Sequence, residues 1–297
     1  MTEAELKKAL AEVAGAVETM LAELMPDAAG PIGRLRAAMR HGSLNGGKRL
    51  RPFLLVGSAD LFGVPRERSL RAGVALEMVH CYSLVHDDLP AMDDSDLRRG
   101  QPTVHKAYDD ATAVLAGDAL LTEAFGVLAD PATHPDPAVR CRLVAGLARA
   151  AGSEGMVGGQ AIDLSAERHG LDLAGIERLQ ALKTGALIAY ACEAGALLGE
   201  ASPEQTAALV DYARLLGLAF QIVDDLLDVE GTTEELGKPA QQDADLGKAT
   251  FVVHLGVDGA RRRAAELADK ARCRLDSFGE NADALRRTID FVLARRS

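Results

Sequence analysis

Apolar residues recur at steps of three and four along most of this chain, which is the spacing of one face of an α-helix. The first such face follows Thr2 and Glu5, a pair that fits a capping box. Its apolar positions are Leu6, Leu10, Val13, Val17, Leu21 and Leu24. Further helices are predicted over FLLVGSADLF (53–62) and at about 69–86, 109–130, 138–151, 173–199, 203–230, 243–255, 259–278 and 282–295. No stretch alternates apolar and polar residues between turn signals, so the pattern predicts an all-α fold without strands.

Two segments rich in turn-forming residues interrupt the helical pattern. HGSLNGGKRLRP, residues 41–52, contains three glycines and three basic residues besides its histidine, and DPATHPDP, residues 130–137, contains three prolines. Neither is accompanied by a change in composition, and no low-complexity linker divides the chain. We therefore expect one domain that spans residues 1–297.

Composition and charge exclude several classes of protein. The chain is 48% hydrophobic but only 4% aromatic, which favours helices that pack closely through small side chains. A net charge of -11 argues against a general nucleic-acid binder. No run approaches 18 uninterrupted apolar residues, so no membrane span is expected. The four cysteines form no CxxC pair and the first segment does not fit a signal peptide, so we expect a cytoplasmic protein without disulfides.

Two clusters of aspartates each close an apolar helix. In FQIVDDLLD, Asp224 and Asp228 are four residues apart and share a helix face, while Asp225 lies about 100° round the helix. In LVHDDLPAMDD, the residue before Pro90 avoids helical angles, so the helix should end near Asp88. The chain can then fold back and bring Asp93 close to Asp87.

Such clusters need a compensating charge. Two carboxylates about 4 Å apart repel by about 4 kcal/mol at an effective dielectric near 20. A solvated acidic loop explains one cluster as well as a metal does, but two clusters at two helix ends favour a divalent cation. Mg²⁺ fits best, because it takes one or two carboxylates together with substrate phosphates.

Basic residues lie in loops or beside helix ends, where they could bind those phosphates. Arg98 and Arg99 directly follow the first aspartate cluster. The others are Lys48, Arg49 and Arg51 in the glycine-rich loop, Lys183 beside Thr184, Lys238 and Lys248. Each alone is typical of a surface, but together they indicate a site for two phosphorylated ligands. Asp118 and Asp163 either orient such cations or form structural salt bridges.

Six motifs occur in one order along the chain: GGKRLRP (46–52), HCYSLVHDDLPAMDDSDLRRG (80–100), GQAIDL (159–164), KTGAL (183–187), FQIVDDLLD (220–228) and GK (237–238). Together they resemble the trans-prenyltransferases, and more narrowly the bacterial short-chain farnesyl diphosphate synthases. The resemblance covers about residues 33–255. It implies an isoprenoid-synthase-like antiparallel helix bundle around a central cavity, and a homodimer.

The resemblance also implies a reaction. Dimethylallyl diphosphate, and then geranyl diphosphate, loses its diphosphate and leaves a carbocation. The double bond of isopentenyl diphosphate attacks this carbocation, and farnesyl diphosphate results. The family uses about two or three Mg²⁺ ions, for which Mn²⁺ can substitute.

Roles follow for individual residues of this chain. Metal ligands are implied at Asp87, Asp88, Asp93, Asp224, Asp225 and Asp228. The isopentenyl diphosphate site is implied at Lys48, Arg51, His80 and Arg99. The allylic diphosphate site is implied at Arg98, Lys183, Thr184, Gln221, Lys238 and Lys248. The catalytic set is Asp87, Asp88, Asp93, Lys183 and Asp224, and the C-terminal Arg295 and Arg296 are candidates for closing the site.

Product length is the least determined property. In the family, a bulky aromatic at the position of Tyr82 forms a floor that stops the chain near fifteen carbons, and Ser83 lies one turn before Asp87 on the same helix face. Tyr82 could also be an ordinary core residue. The alternatives are a geranylgeranyl diphosphate synthase, a terpene cyclase, which would lack the glycine-rich loop and the paired arginines, and a non-catalytic partner subunit of a prenyl synthase.

Overall fold

The structure, a computed structural model, describes residues 1–230 and 250–295, without the side chains of residues 167–169. Within these residues nearly all regular structure is helical, which confirms the all-α prediction. The α-helices are α1 (Glu3–Leu24), α2 (Gly30–Ser43), α3 (Leu50–Asp60), α4 (Arg66–Asp87), α5 (Val104–Ala107), α6 (Asp110–Ala129), α7 (Pro137–Ala151), α8 (Met156–His169), α9 (Leu173–Gln180), α10 (Ala186–Leu198), α11 (Pro203–Glu230), α12 (Phe251–Arg274) and α13 (Asp283–Leu293). A π-helix, Ala181–Gly185, joins α9 to α10, and a 3₁₀ segment, Asp276–Ala282, precedes α13.

Helix α1 begins as its sequence predicts. The Glu5 amide donates to the Thr2 hydroxyl, and the Thr2 amide donates to the Glu5 carboxylate at 2.7 Å, which completes the capping box. The predicted stripe from Leu6 to Leu21 is buried, and Leu24 is partly buried. Helix propensity and burial therefore agree along this segment.

Helix α4 lies in the middle of the bundle. It packs against α3, α6 and α10 and is buried on most of its surface, as expected of a helix that is apolar on several sides. Helix α11 packs between α10 and α12 and is joined by α13. The bundle therefore carries the two aspartate clusters at the C-terminal ends of α4 and α11.

The structure corrects the sequence-based assignment in three places. Residues 97–102 form a short antiparallel hairpin of β1 (Leu97–Arg98) and β2 (Gln101–Pro102), although no strand was predicted. The helical pattern also missed α2 and α8, whose glycines weaken an apolar stripe and lower helix propensity. The helix predicted at 243–255 begins, within the described residues, at Phe251.

Three segments are long and apolar enough to cross a membrane by length and composition alone: α6, Leu173–Leu198 and α11. The sequence analysis expected no membrane span because no apolar run of that length is uninterrupted. Mean hydropathy over a window tolerates a few polar residues, and by that criterion these three segments qualify. In the structure, 39%, 56% and 44% of these windows are buried inside the bundle. Packing against other helices accounts for much of their apolar character.

Candidate active site

The first aspartate cluster folds back on the end of α4. The Asp93 amide donates to the Asp87 carbonyl at 2.9 Å, and the Ser95 amide donates to the Asp88 carbonyl at 3.1 Å. This is the turn that Pro90 predicts. Burial raises the pKa of Asp87 to about 6, and the neighbouring Asp93 carboxylate adds to that rise, whereas Lys183 opposes it.

Arg98 is bound to the first cluster through Asp88. Its Nε lies 2.9 Å from both Asp88 carboxylate oxygens, and its Nη2 lies 2.7 Å from Oδ1. The Asp88 side chain is only 4% exposed, so this bidentate pair neutralises a buried charge. The β1–β2 hairpin presents Arg98, and the Thr103 hydroxyl holds the loop by donating to the Ser95 carbonyl at 2.8 Å. The Arg98 guanidinium thus binds a carboxylate of the first aspartate cluster.

Arg99 joins the hairpin to the glycine-rich loop. Its guanidinium donates to Asn45 Oδ1 at 3.0 Å and to the Gly46 carbonyl. Gly47 has a φ of 124°, and a Cβ there would lie 2.5–2.7 Å from the Arg99 guanidinium. Glycine at this position therefore permits both the left-handed backbone and the close approach of the arginine.

Arg51 and Arg99 form a cluster of basic side chains with His80. Burial lowers the pKa of Arg51, and Arg99 lowers it further. Burial also takes the pKa of His80 well below its ordinary value, with Arg51 and Arg99 adding to the shift, so His80 is neutral near pH 7. Such crowding is relieved by an anion. Arg49 stands apart, because it is buried and its Nη1 donates to Glu77 at 2.8 Å in a structural pair that the sequence did not reveal.

A cavity of about 450 Å³ lies between α4, α8 and the π-helix. Its polar lining includes Arg51, His80, Asp87, Gln160, Lys183 and Thr184. Its other lining residues include Tyr82, Ser83, His86, Met92, Met156 and Leu164. The predicted chain-length residues therefore border the same space as predicted residues of both diphosphate sites.

Lys183 lies in the π-helix and is held from α8. Its Nζ is 2.5 Å from Asp163 Oδ2. A Cβ at Gly159 would lie 2.2 Å from the Lys183 backbone nitrogen, so the glycine of GQAIDL lets the two elements touch. Single-turn π-helices often mark functional positions. The sequence left open whether Asp118 and Asp163 contact a cation of the site. Asp163 does so through Lys183, whereas Asp118 is exposed on α6.

The three aspartates of the second cluster differ in exposure and in their partners. Asp224 is 47% exposed and accepts from Arg295 Nη2 at 3.3 Å, while the Arg295 guanidinium lies 4.2 Å from the centre of the Phe220 ring. Asp225 is buried, and its Oδ2 accepts from the Phe251 amide at 2.7 Å at the start of α12. Asp228 is buried on the same helix. Gln221 is half-buried one turn before Asp224.

Lys48 borders a different space from the one that Arg51 and His80 line. It borders a cleft of about 650 Å³ between α1 and α13, together with Arg295. Burial and Arg295 lower the pKa of Lys48, and Asp224 opposes them. Lys48 therefore lies nearer the second aspartate cluster than the prediction implied. Lys238, Lys248 and Arg296 lie outside the described residues.

Comparison with known proteins identifies the family. Residues 33–284 match the model of the family described as polyprenyl synthetase. This chain belongs to that family. A farnesyl diphosphate synthase from Geobacillus stearothermophilus is 43% identical over 99% of both chains, and one from Escherichia coli K12 is 46% identical over 86% of this chain and 88% of its own. A solved structure described as an FPP/GFPP synthase from Zymomonas mobilis has 47% identity and a TM-score of 0.90, and it covers 99% of this chain and 100% of its own.

These matches confirm the resemblance drawn from the motifs. Polyprenyl synthetases are generally metal-dependent, but within residues 1–230 and 250–295 no three acidic, histidine or cysteine side chains converge on one point. Cations of the chain instead pair with the carboxylates, at Asp88–Arg98, Asp163–Lys183 and Asp224–Arg295. Arg98 and Arg295 thus each place a positive charge beside one carboxylate of an aspartate cluster.

Proposed function

We propose that this chain condenses isopentenyl diphosphate with dimethylallyl and then geranyl diphosphate to form farnesyl diphosphate. One observation carries the proposal. A single cavity of about 450 Å³ has the cations Arg51 and Lys183, the imidazole of His80 and the carboxyl group of Asp87 on its polar lining, and it is also bordered by Tyr82. A diphosphate with a prenyl tail has this combination of a charged head and an apolar body.

The basic residues have separate tasks in this proposal. Arg51, His80 and Arg99 bind the diphosphate of the attacking substrate, with Lys48 reaching it from the neighbouring cleft. Lys183, Thr184 and Gln221 bind the allylic diphosphate, together with Arg98 once it exchanges Asp88 for phosphate oxygens. Lys238 and Lys248 complete this second set. Lys and Arg placed beside a leaving diphosphate stabilise the charge that grows there.

Mg²⁺ fits the carboxylates that the chain offers. Oxygen ligands in acidic clusters suit a hard cation, and a cation would stabilise the charged form of Asp87, whose pKa is raised mainly by burial and further by Asp93. Asp87, Asp88 and Asp93 would hold it from α4, and Asp224 and Asp228, with Asp225, from α11. When bound, Mg²⁺ supplies positive charge to the departing diphosphate.

The apolar wall protects the reaction from water. A carbocation reacts with any nucleophile that reaches it, and the hydrocarbon side chains of Leu84, Ala161 and Leu164 line the cavity without offering one. Thr184 and Gln160 present dipoles from the same lining. The condensation therefore needs no nucleophile from the chain.

The oligomeric state, the location and the catalytic independence of the chain belong to the same proposal. The chain acts as a homodimer in the cytoplasm, as one domain, and without a membrane span. It is catalytic by itself, because both aspartate clusters are intact, which disfavours a non-catalytic partner subunit. A geranylgeranyl product is disfavoured because Tyr82 occupies the position of the floor.

The test is a product assay with the purified chain alone. We expect isopentenyl and dimethylallyl diphosphates with Mg²⁺ to give mainly the fifteen-carbon alcohol after dephosphorylation and chromatography. EDTA should abolish turnover, and added Mg²⁺ should restore it. A twenty-carbon main product would replace farnesyl with geranylgeranyl synthesis, and no product in the presence of Mg²⁺ would reject the proposed activity.

A change at Asp163 tests how Lys183 is positioned. We expect Asp163→Asn to lower kcat/KM for the allylic substrate by about tenfold, because an uncharged amide orients the ammonium group less firmly. KM for isopentenyl diphosphate should change by less than about twofold. The matched control is Asp172→Asn, since Asp172 caps α9 through the Gly175 amide at 2.8 Å and carries no role in the site. Equal effects of the two variants on the allylic substrate would contradict the assignment.

A further inference from the structure

His86 occupies the helix turn between Tyr82 and the first aspartate cluster. Its ring meets the Tyr82 ring edge to face, with the centroids 5.7 Å apart and the planes at 81°. Its Nε2 lies 3.1 Å from the Val114 carbonyl oxygen of α6. Both aromatic side chains border the cavity. His86 therefore braces Tyr82 against the neighbouring helix.

A notch in α6 makes room for the imidazole. A Cβ at Gly117 would lie 2.1 Å from His86 Nε2 and 2.4 Å from Cδ2, which no side chain can occupy unless the ring moves. Gly117 is one helix turn from Val114, so the same surface provides both the space and the hydrogen-bond acceptor. Any larger residue at position 117 would force the imidazole away from α6 and toward the space between the helices.

We propose that His86, seated on Gly117, is a second residue that determines product length. The inference rests on the proposed prenyl synthesis and adds to the role of Tyr82. One turn of helix advances by about 5.4 Å, which is comparable with the four-carbon backbone that each condensation adds. His86 lies one turn nearer the reacting centre than Tyr82. When the His86 ring is displaced into the cavity, elongation stops about one five-carbon unit earlier. When the ring is removed, Tyr82 loses its support.

Variants at these two positions should move the product in opposite directions. We expect Gly117→Ala to raise the ratio of ten-carbon to fifteen-carbon product by at least roughly tenfold, since a methyl group in a fitted pocket has effects of that size. His86→Ala should raise the ratio of twenty-carbon to fifteen-carbon product. In the double variant the new methyl group has no ring to displace, so the ten-carbon product should disappear again. Such non-additivity is the signature of direct contact.

The matched control is Gly126→Ala on the same helix, where an added Cβ meets nothing within 4 Å and the product should stay at fifteen carbons. Unchanged products in both single variants, or a double variant that keeps the ten-carbon product, would overturn the inference. If Gly117→Ala does not fold by circular dichroism, His86→Ala and the double variant decide the matter. Failure of the proposed activity is distinct, because the unmodified chain would then form no prenyl product.

Discussion

Asp87→Asn is expected to reduce kcat for prenyl transfer by at least roughly 10²–10³-fold, the size of effect seen when one group that stabilises a developing charge is removed. Asp87 borders the cavity and is approached by Asp93 and Lys183. The amide has nearly the same shape but no charge with which to hold a cation. Steady-state kinetics over a range of Mg²⁺ concentrations would measure the loss, and excess Mg²⁺ should not restore kcat.

The same substitution should stabilise the ligand-free protein at neutral pH. Burial and Asp93 raise the pKa of Asp87 from 3.8 to about 6 in the folded chain. A raised pKa gives stability that is present below pH 3.8 and is lost as the pH rises through about 6. The carboxylate therefore lowers the free energy of unfolding at pH 7 by up to about 3 kcal/mol, a penalty that asparagine lacks. Thermal unfolding without Mg²⁺ should show a higher Tm for Asp87→Asn at pH 7.5 and a smaller difference at pH 4.5.

Asp94→Asn is the control for both measurements. Asp94 lies in the same loop, its side chain is 62% exposed, and its backbone has a φ of 46°, which asparagine adopts readily. Activity and Tm should change little. A loss of activity in Asp94→Asn equal to that in Asp87→Asn would assign the effect to the loop as a whole.

Tyr82→Ala is expected to move the main product from fifteen to twenty or more carbons, with the ratio of the two rising at least roughly tenfold. The Tyr82 side chain is buried and borders the cavity, so its removal deepens the space available to the growing chain. Chromatography of the dephosphorylated alcohols gives the ratio directly.

Tyr82→Phe separates the volume of the ring from its hydroxyl group. It should keep the fifteen-carbon product, because the ring that blocks the chain and its edge-to-face contact with His86 both remain. An unchanged spectrum in Tyr82→Ala would make Tyr82 an ordinary core residue, while a shift in Tyr82→Phe would transfer the effect to the hydroxyl.

Local pattern was enough to predict much of this protein. The stripe of α1, its capping box and the turn after Asp87 each depend on residues within a few positions of one another, and helical periodicity and the conformational limits of proline act at that range. The order of six motifs was enough to predict the family. The helical pattern missed α2 and α8 because glycine lowers helix propensity, although Gly159 on α8 is where the Lys183 backbone comes close to that helix.

The sequence by itself therefore determined the all-α class, the family and the residues that bring charge to the site. Only the tertiary structure decided which charges lie together: Arg98 with Asp88, Lys183 with Asp163, and Lys48 with Arg295 in one cleft. It alone also revealed that His86 fits against Gly117. The physical reason is the distance along the chain over which each interaction acts. Helix periodicity is set by residues a few positions apart, whereas contacts between helices depend on where glycines let two distant segments approach each other, which no spacing in the sequence encodes.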